Sequence, residues 1–154
     1  MNKLWNSGIP TNQLKSEMTQ PEIFEALKPL LVEVLGIPPE TIRLESVLVS
    51  DLGAESIDLL DLSFRIEEKF KVRLEANEIE REARKRLPAG TYEKDGYLTE
   101  EALDEIRKSL PELGADKLVK GLRKVDLPSL LTVSFFVHLI ARKLAVDEKG
   151  AIHA

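Results

Sequence analysis

The hydrophobic pattern predicts three amphipathic helices, in each of which apolar residues recur every three or four positions. The first begins at Pro21 and stops before Gly36. It contains Pro29, which removes one backbone hydrogen bond, so we expect a kink or an early break near residues 25–28. The second lies within residues 51–70, DLGAESIDLLDLSFRIEEKF, and the third spans residues 132–144.

The second segment also predicts a hydroxyl group at the start of a helix. Gly53 permits a turn, and Ser56 follows it at the position of an N-cap or first helical residue. A hydroxyl there lies beside unpaired backbone N–H groups and the positive end of the helix dipole, which suits a phosphate ester. The alternative is that Ser56 only caps the helix. The apolar residues at helical spacing after it are Ile57, Leu60 and Phe64, joined by Leu59, Leu62, Ile66 and Phe70.

The remaining segments predict loops and shorter helices. Residues 37–50 should form a long loop whose apolar residues Ile42, Leu44, Val47 and Leu48 tuck under a bundle. Residues 78–87 favour an exposed helix rich in ion pairs, although their basic residues also permit phosphate binding.

Beyond residue 87 the sequence gives weaker signals for secondary structure. Thr99 is a predicted N-cap for a helix ending near Leu110, and a short helix is plausible within residues 113–125. Asp95-Gly96 is a turn signal that would also allow a hairpin, although so short a pairing is barely stable alone.

The composition and charge of the chain exclude some kinds of site and indicate the charge of its partners. The chain has 154 residues, a net charge of −5 and no cysteine, so disulfides and cysteine-based metal sites are excluded. Residues 40–79 carry 10 acidic and 5 basic side chains, and the whole acidic excess lies there. This argues for basic partners and against nucleic acid. Without a signal peptide or a membrane-spanning run, the expected location is cytoplasmic, with no stable membrane insertion.

Enzymatic chemistry has little support in the sequence. His138 lies beside the last apolar stripe, and no second histidine or carboxylate keeps catalytic or metal-binding spacing with it. No glycine-rich phosphate loop is present. We therefore expect no catalytic residue and no metal site.

Residues 51–57, D-L-G-x-E-S-I, followed by an amphipathic acidic helix, resemble the acyl and peptidyl carrier proteins. Glu55 and Ile57 replace the aspartate and leucine more usual in that motif, and Arg65 adds a positive charge that could narrow the set of partner enzymes. The resemblance covers residues 21–79 and 127–144. It implies an all-α fold, an acyl-carrier-like four-helix bundle with an additional helical insertion at residues 80–127. The implied domain spans residues 20–146, between a flexible arm (1–19) and a flexible tail (147–154).

The resemblance implies that Ser56 carries 4'-phosphopantetheine, whose thiol holds an acyl intermediate as a thioester. The protein would present that group to fatty acid, lipid or polyketide biosynthetic enzymes. The alternative is a carrier-fold subunit that is never loaded and acts as a protein-protein interaction module.

The implied partners are a phosphopantetheinyl transferase and acyl-transferring or acyl-modifying enzymes with basic docking surfaces, and the protein is expected to be a monomer. Candidate docking residues are Glu55, Asp58, Leu59, Asp61, Glu67 and Glu68. Candidate acyl-pocket residues, for each of which simple core packing is the alternative, are Leu60, Leu62, Phe64, Phe136 and Ile140.

Overall fold

The computed structural model describes residues 18–74, 78–113 and 115–153. Within them the fold consists of five α-helices, one short hairpin and several 3-10 turns, which confirms the predicted helical bundle with a helical insertion. The helices are α1 (Gln20–Leu35), α2 (Ser56–Phe70), α3 (Glu78–Arg86), α4 (Glu100–Ser109) and α5 (Val133–His153). The strands are β1 (Glu93–Lys94) and β2 (Tyr97–Leu98).

Helix α1 has well-formed ends and an uninterrupted middle. The Thr19 N–H donates to the Glu22 carboxylate at 2.8 Å, and the Glu22 N–H donates to the Thr19 hydroxyl at 3.3 Å. Gly36 ends the helix in the left-handed region, at φ +67°. The helix continues through Pro29, so the predicted early break is wrong. Packing compensates for the lost hydrogen bond, because Leu27, Leu30 and Leu31 on either side of the proline are buried.

The loop between α1 and α2 is anchored to the start of α5. The Leu48 N–H donates to the Leu131 carbonyl at 3.0 Å, and the Val133 N–H donates to the Ser46 carbonyl at 2.9 Å. Val47 forms an isolated antiparallel bridge with Thr132. The side chains of Ile42, Val47 and Leu48 are buried as predicted, whereas Leu44 remains 44% exposed.

Helix α2 has apolar residues on two faces, and only one of these faces is buried. Leu62, Ile66 and Phe70 are at most 2% exposed and face the core shared with α1 and α5. The large apolar side chains that stay exposed on α2 are Ile57 (69%), Leu60 (57%) and Phe64 (60%). Since these three lie three and four residues apart, they form one ridge on the outer face of the helix, which we call the outer ridge.

The insertion belongs to the same hydrophobic core as the bundle. Leu103, Ile106 and Leu118 are almost fully buried in the cluster that also contains α1, α2 and α5 residues. Helices α3 and α4 match the predicted positions, and Thr99 caps α4 by accepting a hydrogen bond from the Ala102 N–H at 3.1 Å. The short helix expected within residues 113–125 is replaced by 3-10 turns at Pro111–Leu113, Ala115–Lys117 and Lys124–Leu130.

The hairpin forms around Asp95 and Gly96, whose φ angles are +56° and +87°. Two successive positive φ values are what a tight two-residue hairpin turn requires. Glu93 pairs with Leu98, and Lys94 with Tyr97. The ion pair between Lys124 and Glu93, 2.6 Å long, ties this strand to the end of the insertion.

The two ends of the chain can be compared with prediction only in part. The predicted arm, residues 1–19, lies outside the described residues except for Met18, which packs on the core, and Thr19. Helix α5 continues to His153, past the predicted end at residue 144 and into the expected tail, 147–154. Among the helices that the structure describes, none combines the length and apolarity needed to cross a membrane.

We predict that the two faces of α2 respond differently to the same truncation. Leu62→Ala should lower the free energy of unfolding by about 2–5 kcal/mol, because it opens a cavity in the core. Leu60→Ala is the matched control and should change it by less than about 0.5 kcal/mol, since the side chain is exposed. Urea denaturation followed by circular dichroism measures both. Equal losses would show that the assigned buried face of α2 is wrong.

Candidate functional site

The turn before α2 fixes the position of Ser56. The Asp51 carboxylate accepts a hydrogen bond from the Val47 N–H at 2.8 Å, and Gly53 adopts φ +78°. The Ala54 N–H donates to the Leu48 carbonyl at 2.9 Å, and the Ala54 side chain is buried. Buried contacts therefore hold the chain just ahead of the helix.

Ser56 is the first residue of α2, and its side chain is exposed. The N-cap is Glu55, whose backbone N–H donates to the Asp58 carboxylate at 2.9 Å. The backbone N–H groups of the first helical turn have no partner within the helix, and the helix dipole is positive there. This environment fits a phosphodiester on the Ser56 oxygen, because the serine is accessible and the helix end favours negative charge.

Ser56 also lies at the edge of a groove of about 670 Å³ between α2, the insertion and α5. That volume is within the range of about 300–1,000 Å³ common for ligand sites. The residues of α2 that line it are Ser56, Leu59, Leu60, Ser63, Phe64 and Glu67. The rest of the lining comes from Leu74, Glu78, Ile79 and Glu80, from Tyr92, Lys124 and Val125, from Leu127, Pro128 and Leu131 ahead of α5, and from Phe135, Phe136 and Leu139 within α5.

The structure separates the acyl-pocket candidates into two groups. Leu60, Phe64 and Phe136 line the groove. Leu62 and Ile140 do not, and they are 2% and 0% exposed in the core. In this structure these two side chains, one on α2 and one on α5, pack in the core.

The docking candidates differ in the exposure of their side chains and in the hydrogen bonds that these side chains already make. Glu55 and Glu68 are exposed, and Leu59 is half-buried at the groove. The Asp58 carboxylate caps the helix, and the Glu67 carboxylate accepts a hydrogen bond from the Leu74 N–H at 2.8 Å. These two carboxylates therefore have structural contacts besides any role in docking.

Arg65 connects the acidic residues of two helices. Its Nη1 lies 2.6 Å from the Glu33 carboxylate on α1, and its Nε lies 3.1 Å from the Asp61 carboxylate on α2. The positive charge that sets this helix apart from the motif is therefore paired within the protein. It partly neutralises Asp61, the remaining docking candidate.

Tyr92 is a site residue that sequence reasoning missed. It lines the groove, its side chain is only 1% exposed, and its hydroxyl has no hydrogen-bond partner among the described residues. Leaving such a group unpaired costs about 1–3 kcal/mol. The Arg84 guanidinium lies 4.9 Å from the ring centroid. No sequence signal marks Tyr92, because its burial depends on contacts across the insertion.

The class of protein that these observations define is a helical domain with an exposed serine in the first turn of a helix. Residues 25–83, which include Ser56, match the family described as "PP-binding: Phosphopantetheine attachment site". The chain belongs to the acyl carrier protein family, and its cofactor is covalent 4'-phosphopantetheine. Family membership implies contact with a phosphopantetheinyl transferase and with biosynthetic enzymes in general.

Three similar proteins carry the name "Acyl carrier protein". The Campylobacter concisus protein is 39% identical over 59 residues, which is 38% of this chain and 77% of the relative. The Wolinella succinogenes protein is 41% identical over 59 residues, 38% of this chain and 78% of the relative. The Saccharopolyspora erythraea protein is 34% identical over 100 residues, 65% of this chain and 95% of the relative. No solved structure gives a significant match.

We predict that Tyr92 makes the free energy of unfolding fall more steeply at high pH. Burial, and secondarily the Glu80 carboxylate, raise the pKa of Tyr92 to about 12, whereas an unfolded tyrosine has a pKa of about 10. Between these values the unfolded chain has lost a proton that the folded chain retains, so this group makes the free energy of unfolding fall as pH rises. Tyr92→Phe should show a shallower fall in urea titrations at increasing pH.

The control for that measurement is Tyr97→Phe, since Tyr97 is 48% exposed. At neutral pH we expect Tyr92→Phe to have an unchanged or slightly higher free energy of unfolding, because the hydroxyl that it removes has no partner. A steeper fall in Tyr92→Phe than in Tyr97→Phe would contradict the assigned burial.

Proposed function

We propose that Ser56 is the attachment residue and that the loaded protein carries an acyl group as a thioester. The observation that supports this most directly is the exposed Ser56 side chain in the first turn of α2, at the edge of a largely apolar groove. When attached, phosphopantetheine supplies the thiol that the polypeptide lacks, since the chain contains no cysteine. Ser56 is modified by another enzyme and performs no catalysis.

In the loading reaction, a transferase moves phosphopantetheine from coenzyme A to Ser56. A bond forms between the Ser56 oxygen and the phosphorus next to pantetheine as the pyrophosphate bond of coenzyme A breaks. Adenosine 3',5'-bisphosphate leaves, and the hydroxyl proton passes to the transferase. The residues of this chain hold the acceptor oxygen in place: Asp51 and Ala54 fix the preceding turn, and the Asp58 carboxylate caps the helix.

The proposed partners are fatty acid, lipid or polyketide biosynthetic enzymes with basic docking surfaces. The carrier is proposed to bind them as a monomer. Glu55 and Glu68 are the exposed carboxylates of the predicted docking set, at opposite ends of α2. Charges of this kind raise encounter rates and leave affinity modest, which suits a carrier that must leave each enzyme again. Leu59 supplies an apolar contact beside Ser56.

We predict that loading depends on the Ser56 hydroxyl. Incubation of the apo protein with coenzyme A and a broad-specificity transferase should raise its intact mass by one phosphopantetheine group, and Ser56→Ala should abolish the increase. Ser63→Ala is the matched control, because Ser63 also lines the groove but its hydroxyl donates to the Leu59 carbonyl at 3.0 Å. If a reference carrier is loaded while this protein is not, an unloaded interaction subunit becomes the better explanation.

A second prediction concerns the rate of loading. The double variant Glu55→Gln/Glu68→Gln should be loaded about two- to tenfold more slowly at low salt, because two steering charges are lost. The difference from the wild type should shrink as salt increases. Glu100→Gln/Glu101→Gln removes the same charge from exposed positions on α4 and should load at the normal rate. Equal slowing in both variants would point to net charge rather than to an α2 docking surface.

A further inference from the structure

Tyr92, a residue of the insertion that lines the groove, has a buried hydroxyl that the proposed loading of Ser56 does not use. We propose that the groove holds an acyl chain bearing a neutral hydroxyl or keto oxygen, and that the Tyr92 hydroxyl recognises this oxygen by donating a hydrogen bond. The inference rests on the proposed function, because the acyl chain is tethered through Ser56.

The apolar surface of the groove fits an acyl chain. Leu60 and Phe64 of the outer ridge line one side and are 57% and 60% exposed, and Val125 of the insertion lines it as well and is 68% exposed. Contiguous exposed apolar side chains of this size mark a binding surface. Because the chain would be tethered at the edge of the same groove, weak contacts are sufficient to hold it there.

Tyr92 is held in place by its surroundings. Its carbonyl accepts a hydrogen bond from the Thr99 N–H at 3.1 Å, and the Arg84 guanidinium lies over its ring. The hydroxyl, by contrast, has no partner among the described residues. A buried donor fixed in this way selects for a ligand that supplies an acceptor, since a ligand without one leaves the donor unpaired.

The charges around the groove favour a neutral oxygen over a carboxylate. Glu67, Glu78 and Glu80 border it, and Lys124 is the one cationic side chain among the described residues that line it. Lys124 already lies 2.6 Å from the Glu93 carboxylate and 3.5 Å from that of Glu80. Glu80 is also paired with Arg84 at 2.6 Å, and Glu78 with Lys143 at 2.9 Å. An acyl chain ending in a carboxylate would therefore meet three carboxylates and, in the part of the chain that the structure describes, only cations that are already paired.

The test compares decanoyl with its positional hydroxydecanoyl isomers, each loaded onto the apo protein from the corresponding acyl-coenzyme A. The readout is the rate at which hydroxylamine cleaves the thioester. At least one hydroxylated isomer should be cleaved about two- to tenfold more slowly than decanoyl, the range expected for one neutral hydrogen bond. Tyr92→Phe should remove this difference between the two acyl groups, while Tyr97→Phe should retain it.

A second measurement requires no variant. In the wild-type protein, the NMR signals of the Tyr92 ring should shift between the decanoyl form and the protected hydroxydecanoyl form, with Tyr97 as the internal reference. Equal cleavage of all isomers, a preference that survives Tyr92→Phe, or an unshifted Tyr92 ring would overturn this inference alone. Failure of any acyl group to load at Ser56 would instead overturn the proposed function, and this inference with it.

Discussion

The burial of one stripe of α2 is the constraint on which the rest of the molecule depends. Leu62, Ile66 and Phe70 enter the shared core, and a helix that buries them must turn its opposite face outward. That face carries the outer ridge, while the start of the helix presents Ser56 to solvent. The accessibility of the serine and the apolar surface beside it are thus two results of the same packing.

The local features of the fold could be predicted from the sequence because their causes are local. Thr19, Gly36 and Thr99 act as caps in the way that their residue types favour, and Asp95-Gly96 forms the turn that it signals. The motif around Ser56 identified the family. The choice of buried face on α2 could not be read in this way, since apolar residues lie on both sides of that helix and only its neighbours decide between them.

The groove was the least predictable part. Its lining joins residues from α2, the insertion and α5, and such distant contacts leave no periodic trace in the sequence. Sequence reasoning placed Leu60, Phe64 and Phe136 near a pocket but could not exclude Leu62 and Ile140, which have the same chemistry. Tyr92 and Lys124 carry no such signal either, because the packing of the insertion's apolar residues into the bundle core depends on contacts between distant parts of the chain.

The pairing of Val47 with Thr132 has a consequence for the order in which the protein matures. The loop that leads to Ser56 is fixed by backbone bonds to residues 131–133, which leave the ribosome long after Ser56 itself. Chains are synthesised from the N-terminus, and contacts across such a separation form only when both partners have emerged. A nascent chain that ends before residue 131 therefore lacks the anchored turn. The acceptor serine reaches its final setting only after residues 131–133 have been synthesised.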